Sequence, residues 1–420
     1  MMTSKERLQT VLNHRSADRI CVDFGATAVT GMHIRLIEAL RRHYGLEDHP
    51  IKIADVFQMI GEIEPDLQEV IGVDVVGIKD RYTMFGFPLE DWKEFKTPWG
   101  QVCLVPGKFT TDVRDANGDY LMFPGGDTSL APSGRMPQGN FFYDAIIRQD
   151  PIDDANLNVE DNLEEFGPIP EDSKTWIKNH LEAYKKTGKG IIMSIGGMQL
   201  GDVAAVPGVH MPHPKGIRDI AEWYMSTVMR ADYVKEIFER QTDIAVENLQ
   251  TIYDLVGNDI DVMFICGTDL GTQDSQFCSD AMFRDLYLPY YKKMNDWIHQ
   301  HTTWKTFKHS CGAMVPLLPG LIDAGFDIIN PVQINAKGMD SKFLKREFGD
   351  KLVFWGGGVD TQITMMHGTP AQVRDEVKRQ CDIFGEDGGF VFNAVHNLQA
   401  NMPVENAIAM IDTLREINHL

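Results

Sequence analysis

From residue 261 onward, short apolar runs alternate with longer amphipathic stretches. DVMFIC (261–266), WKTFKH (304–309), FDIINPV (326–332), KLVFWGGG (351–358) and GFVFNAVH (389–396) each read as a strand. Helical spacing fills the intervals. It runs through 279–301, where Phe283, Leu286, Tyr290 and Met294 share a face, through 315–324, through a stretch after Met339 that Asp340 can cap, and through 370–384. Pro403 opens a last helix at its first turn, where the missing N–H is tolerated. Strands that are apolar on both faces, with one helix between each pair, imply a parallel sheet. RICVDFG (19–25), DVVGI (74–78) and IIMSIGG (191–197) bring the strands to eight. The expected fold is therefore α/β, a single (β/α)8 TIM barrel over 1–420. No G-x-G-x-x-G follows the first strand, which counts against a dinucleotide-binding sheet. The opening MMTSKERLQTVLNHRSADR reads as a polar helical extension. Residues 97–124 alternate and contain Asn117-Gly118, which predicts a β-hairpin insertion, and the Gly/Pro/Met-rich 124–142 reads as a loop over its surface.

Composition narrows the function. The chain has 420 residues, is 43% hydrophobic and carries a net charge of −21 with no lysine/arginine cluster, so a nucleic-acid partner is not expected. No apolar run approaches the roughly 20 residues of a membrane span, and the N-terminus is not an apolar leader, so the expectation is a cytoplasmic protein. Six cysteines (21, 103, 266, 278, 311, 381) stand apart with no C-x-x-C pair. That spacing suggests free thiols with one metal ligand among them rather than a disulfide framework.

Barrels of this kind work at the C-terminal ends of their strands. The polar residues expected there are Asp23, Asp80, Asp269, His309, Cys311, Asn330, Gln333, His396 and Asn397. The sharpest feature is His309-Ser310-Cys311-Gly312. Two residues apart on a strand end, imidazole and thiolate face the same way, and they are donors zinc favours. Alone, H-x-C competes with chance and packing. His396 strengthens it, because the last strand neighbours the first in a closed barrel, although a hydrogen-bonded strand-end histidine explains it as well. Asp23, Asp80 and Asp269 read equally as helix caps, and Gln333 as a loop amide. Cys21, Cys266 and Cys381 look like core residues.

GTDLGTQ (267–273), KHSCGAMVPLLPGLIDAGFDIINPVQ (308–333), GMDSKFLKREFGDKLVFWGGGVDTQ (338–362) and HNLQANMPVENAIAM (396–410) resemble the uroporphyrinogen decarboxylase superfamily. The H-x-C-G motif is similar to the zinc motif of its corrinoid-dependent methyltransferases, which act on methanol, methylamines, chloromethane and phenyl methyl ethers. AEWYMSTVMRADYVKEIF (221–238) is most similar to the methyltransferase component of aryl-ether O-demethylases. The resemblance implies Zn2+ on His309 and Cys311. Those methyltransferases place a cysteine where this chain has His396; the decarboxylases place nearby a histidine that meets substrate. Gln333 falls where related cobalamin-independent methionine synthases have a glutamate ligand. His396 or Gln333 is thus the implied third ligand. The decarboxylases carry arginines in the first strand for their tetrapyrrole, whereas VDFGATAVTGMH (22–33) has none.

The implied reaction is methyl transfer from a methoxylated aromatic to the cobalt of a corrinoid held by a partner protein. Transfer from a methyl-corrinoid to a thiol, or a uroporphyrinogen-type decarboxylation, is the alternative. Asp269 and Asp23 would orient the hydroxyl of the ring or a ligand histidine. Trp355, Phe85, Phe87 and Asn397 would line the substrate, with core packing as the competing reading for the aromatics. A homodimer is compatible with this sequence.

Overall fold

The computed structural model describes residues 1–195 and 197–420. Eight parallel strands form one sheet: β1 (Cys21–Val22), β2 (Val75–Lys79), β3 (Gly190–Ser194), β4 (Val262–Cys266), β5 (Lys305–His309), β6 (Ile328–Asn330), β7 (Val353–Trp355) and β8 (Phe390–Phe392). Each strand pairs with the next in chain order from β2 to β8, and β8 pairs with β1. Asp74 joins the remaining edge. Its N–H donates to the Val22 carbonyl at 2.8 Å, and its carboxylate accepts from Val22 N at 3.0 Å. The same carboxylate is fully buried between Arg7 and Arg19, at 2.6 and 2.8 Å. One side chain therefore ties the N-terminal extension to the point where the barrel closes.

The extension is the helix Ser4–Leu12, started by a reciprocal capping box between Thr3 and Glu6. Its Leu8, Val11 and Leu12 pack on the inward layer of the strands, including Cys21, Val75, Ile192, Val262, Phe307, Ile328, Val353, Trp355 and Val391. The bottom of the barrel is thereby plugged, and only the C-terminal end stays open.

Several boundaries move for local reasons. The helix expected over 279–301 is two, Asp280–Leu286 and Leu288–His301, because Pro289 cannot donate into a continuous ladder. β6 ends at Asn330 because Pro331 follows. The strand expected over 191–197 ends at Ser194, and Gly196 lies outside the described residues. Asp340 does cap its helix, accepting from Phe343 N at 2.8 Å.

The insertion is larger than 97–124. Ile51–Asp55, Ile60–Gly61, Lys93–Lys96 and Val102–Val105 make one small sheet, and Tyr120–Met122, Gly134–Met136 and Asp144–Ala145 another. Asn117-Gly118 forms the expected tight turn, with Arg114 bridging Tyr120 across it. The segment read as a loop, 124–142, supplies the strand Gly134–Met136, which pairs with Tyr120–Met122. Among the described residues, no helix is long and apolar enough to cross a membrane.

Candidate functional site

Strand alternation sends Phe307 into the packed barrel interior, and His309, two residues later, follows on the same face at the open end. Next to it on β6, in register, stands Asn330. The Asn330 amide nitrogen donates to the Trp355 carbonyl at 2.7 Å, so its oxygen is the atom turned toward His309 Nδ1, 2.6 Å away. That oxygen can only accept, which puts the proton of a neutral imidazole on Nδ1 and leaves a lone pair on Nε2. The Nε2 atom lies 3.6 Å from Cys311 Sγ.

Cys311 is positioned through its backbone, whose N–H donates to Asp269 Oδ1 at 2.7 Å. The same oxygen sits 3.9 Å from His309 Nε2. The chain turns away at once at Gly312, where φ is +95° and a Cβ would come within 2.4 Å of the Gly271 backbone. Gln333 holds this turn: its Oε1 accepts from Gly312 N at 2.8 Å, and its Nε2 donates to Gln273 at 2.8 Å.

His396 arrives from the loop after β8. Its ring centroid is 5.1 Å from that of His309, edge to face. The ligand atoms of His309, Cys311 and His396 all lie within 4.8 Å of one another, a grouping able to hold a metal ion. His396 has φ +68°, a conformation few non-glycine residues adopt, and the Asn397 N–H donates to its Nδ1 at 2.7 Å. Burial pulls the His309 pKa down to about 4. Burial and then neighbouring His309 take His396 to about 3. Burial, with Asp269 next, pushes the Cys311 thiol well up. Both imidazoles are therefore neutral at pH 7, and His309 presents its Nε2 lone pair. The Nδ1 lone pair of His396 is held by the Asn397 N–H and would have to leave that hydrogen bond to ligate, and the thiol must lose its proton to a bound ion.

His309, His396 and Asp269 line a cavity of about 980 Å³ that opens between the barrel mouth and the insertion. Other expected residues sit behind its wall. Asp23 is fully buried, accepting from Trp355 Nε1 at 2.9 Å and Ala26 N at 3.1 Å, and burial raises its pKa to about 6. Trp355 lies in the interior layer against Phe307 and so reaches Asp23 rather than the cavity. Phe85 and Phe87 stack at 6.5 Å inside the insertion, behind Phe57 and Tyr143, which do line the cavity. Asn397 spends both ends of its amide on fastening loops: Oδ1 accepts from Gly31 N at 2.6 Å, and Nδ2 donates to Ala28 O and Gln58. Gln333 has its oxygen engaged by Gly312. Asp80 lines the outer cavity. Sequence reading passed over Lys79 and Ser194, which also line it. Their signal was the alternation Val75, Gly77, Lys79 and Gly190, Ile192, Ser194, each set sharing the interior face.

Residues 210–417 match the sequence model of the family described as "Uroporphyrinogen decarboxylase (URO-D)". A uroporphyrinogen decarboxylase of Pseudoalteromonas translucida is 35% identical over 74 residues, 18% of this chain and 20% of that protein. One of Neisseria gonorrhoeae is 25% identical over 146 residues, 33% of this chain and 38% of that one. The matches thus span well under half the length of these curated relatives. Among solved structures, a methyltransferase from Methanosarcina mazei covers 99% of both chains at a TM-score of 0.55 and 14% identity, a likeness of fold. Residues 210–417, just under half of the chain, are therefore similar in sequence to the uroporphyrinogen decarboxylase family, and they lie within the (β/α)8 barrel.

Proposed function

We propose that this protein is a zinc-dependent methyltransferase that takes the methyl group of a methoxylated aromatic and delivers it to the cobalt of a corrinoid carried by a separate protein. The observation that carries the reading is the 3.6 Å between His309 Nε2 and Cys311 Sγ. Tetrahedral zinc, with bonds of about 2.0–2.1 Å to nitrogen and about 2.3 Å to sulfur, holds such donors about 3.5–3.6 Å apart. His309 and Cys311 would hold the ion, and His396 would complete the protein set, leaving an open position. When bound, the ion supplies Lewis acidity at the ether oxygen, where negative charge develops as the carbon–oxygen bond breaks.

The protein's own residues prepare that step. Asn330 keeps the His309 lone pair aimed at the centre, and Asp269 fixes the Cys311 backbone. The cavity wall, with Phe57, Phe141, Tyr143 and Phe264, suits an aromatic ring and excludes water from the leaving oxygen. The decarboxylase reading suggested by the relatives' names has weaker support. Among the described cavity-lining residues there is one lysine and no arginine, against Asp55, Asp80, Asp144, Asp202 and Asp269. A tetrapyrrole with eight carboxylates would meet repulsion there. The test is zinc-loaded protein incubated with methoxybenzenes and a reduced corrinoid protein. Methyl transfer to the corrinoid is expected; enzymatic formation of coproporphyrinogen from uroporphyrinogen would overturn the reading.

A further inference from the structure

On β2, Val75 belongs to the packed interior of the barrel. Gly77 repeats its direction where the chain crosses so closely that a Cβ would lie 1.6 Å from the Ala26 carbonyl oxygen. Lys79 is the next residue on that face, at the cavity floor. It is half-buried, and among the described residues its ammonium makes no hydrogen bond or ion pair. The two carboxylates whose charge it feels most are committed elsewhere. Asp55 Oδ1 accepts from Phe57 N and Gln58 N at 2.8 and 2.9 Å, and Asp23 is bound to Trp355 and Ala26.

A second, separate observation lies beside it. Ser194 on β3 is the direct register partner of Lys79, lines the same cavity, and has a buried hydroxyl with no hydrogen-bond partner among the described residues. Buried polar groups rarely go unpaired, and a charged one left so is costly. Two adjacent unsatisfied donors, one cationic, define a receptor for a single carboxylate; lysine meets it as a point charge and the hydroxyl as a second donor. Phe264, two residues beyond Val262, continues the floor and stacks on Phe307 at 5.1 Å, below His309 on β5.

We propose that Lys79 and Ser194 form a carboxylate subsite, and that the methyl donor is a methoxylated aromatic acid bearing one ionised carboxylate. The acid anchors at β2–β3, the ring lies over Phe264, and the methoxy group reaches the centre on β5. The five aspartates around the cavity restrict it to one anionic group, since among the described lining residues a second would find no further lysine or arginine. The aromatic identity of the ligand rests on the methyltransferase reading; the carboxylate subsite does not.

The test is calorimetric binding of 4-methoxybenzoate and its uncharged amide to the zinc-loaded protein, with no turnover required. The acid is expected to bind about ten- to a hundredfold tighter than the amide, as a charged hydrogen bond implies. Lys79→Met should cut that ratio below about threefold, and Ser194→Ala should lower it by about two- to tenfold. Lys79→Arg should keep most of it, and Lys79→Gln reads the same loss if Lys79→Met does not fold. Equal binding of acid and amide, retention of the preference in Lys79→Met, or no binding of either ligand overturns the subsite. An acid preference that depends on Lys79, in a protein that transfers no methyl group, leaves the subsite standing and removes the methyltransferase reading.

Discussion

The half of the barrel from β4 to β8 and the half built on β1 to β3 with the insertion are made differently. In the first, each chemical group is held by a neighbouring strand or by the turn beside it: Trp355 carbonyl to Asn330, Asn330 to His309, Asp269 to the Cys311 backbone, Gln333 to Gly312. In the second, the cavity is walled by loop and insertion residues such as Phe57, Phe141 and Tyr143, and its floor donors, Lys79 and Ser194, are unpaired among the described residues. A centre that must hold an ion in one geometry benefits from relays fixed before binding. A wall that selects a ligand can vary on loops and leave unpaired donors for the ligand to satisfy. The molecule therefore separates what it does from what it does it to.

That division can be broken by exchanging effects between the halves. The largest effect should come from Cys311→Ala or His309→Ala, each lowering zinc affinity on the order of a thousandfold or more, while Lys79→Met keeps the metal; chelator competition reads both. Metal loss in Lys79→Met would dissolve the distinction. Asp74→Ala should cost about 3–5 kcal/mol in denaturant unfolding, because Arg7 and Arg19 lose a fully buried partner at the seam of the barrel. Asn330→Ala should weaken zinc by about 10- to 100-fold while leaving the unfolding midpoint of the metal-free protein less affected than Asp74→Ala does.

A smaller effect sharpens the comparison through pH. In the metal-free protein burial depresses the pKa of His309 to about 4 and that of His396 to about 3, from an ordinary 6.5. The unfolded chain therefore takes up protons that the native state refuses. Their contribution to stability is intact above pH 6.5 and is lost as pH falls from there toward 4 and then 3. Denaturation of the metal-free protein across that range should show it, and the His309→Ala and His396→Ala variants should show a shallower decline.

The same division explains what the sequence made legible. Strands β4 to β8 announced themselves because each is a short apolar run followed by a helix-period stretch, a local signal. The hairpin at Asn117-Gly118 was legible, but the rest of the insertion escaped because its pairing is non-local: Ile51 aligns with Cys103, and no helix-period stretch follows each short strand to mark it. His309 and Cys311 were visible as a motif on one strand face. The reading of β2 stopped at Ile78 and favoured Asp80, although one more step of its alternation reaches Lys79. Nothing in the sequence marks the left-handed backbone of His396, nor that Asn330 lands in register beside His309, since both depend on how separate segments meet. Trp355, Phe85 and Phe87 show the limit of composition: a large aromatic near a strand end lies as readily behind a wall as on it.

X-ray absorption at the zinc edge tests most directly whether His309 and Cys311 hold an ion with His396 as third donor. About one zinc per chain is predicted, with a single sulfur scatterer at about 2.3 Å and two imidazole nitrogens at about 2.0–2.1 Å. In Cys311→Ala the sulfur shell should vanish. A zinc without sulfur, or a metal-free protein that transfers methyl groups at the full rate, would contradict the account.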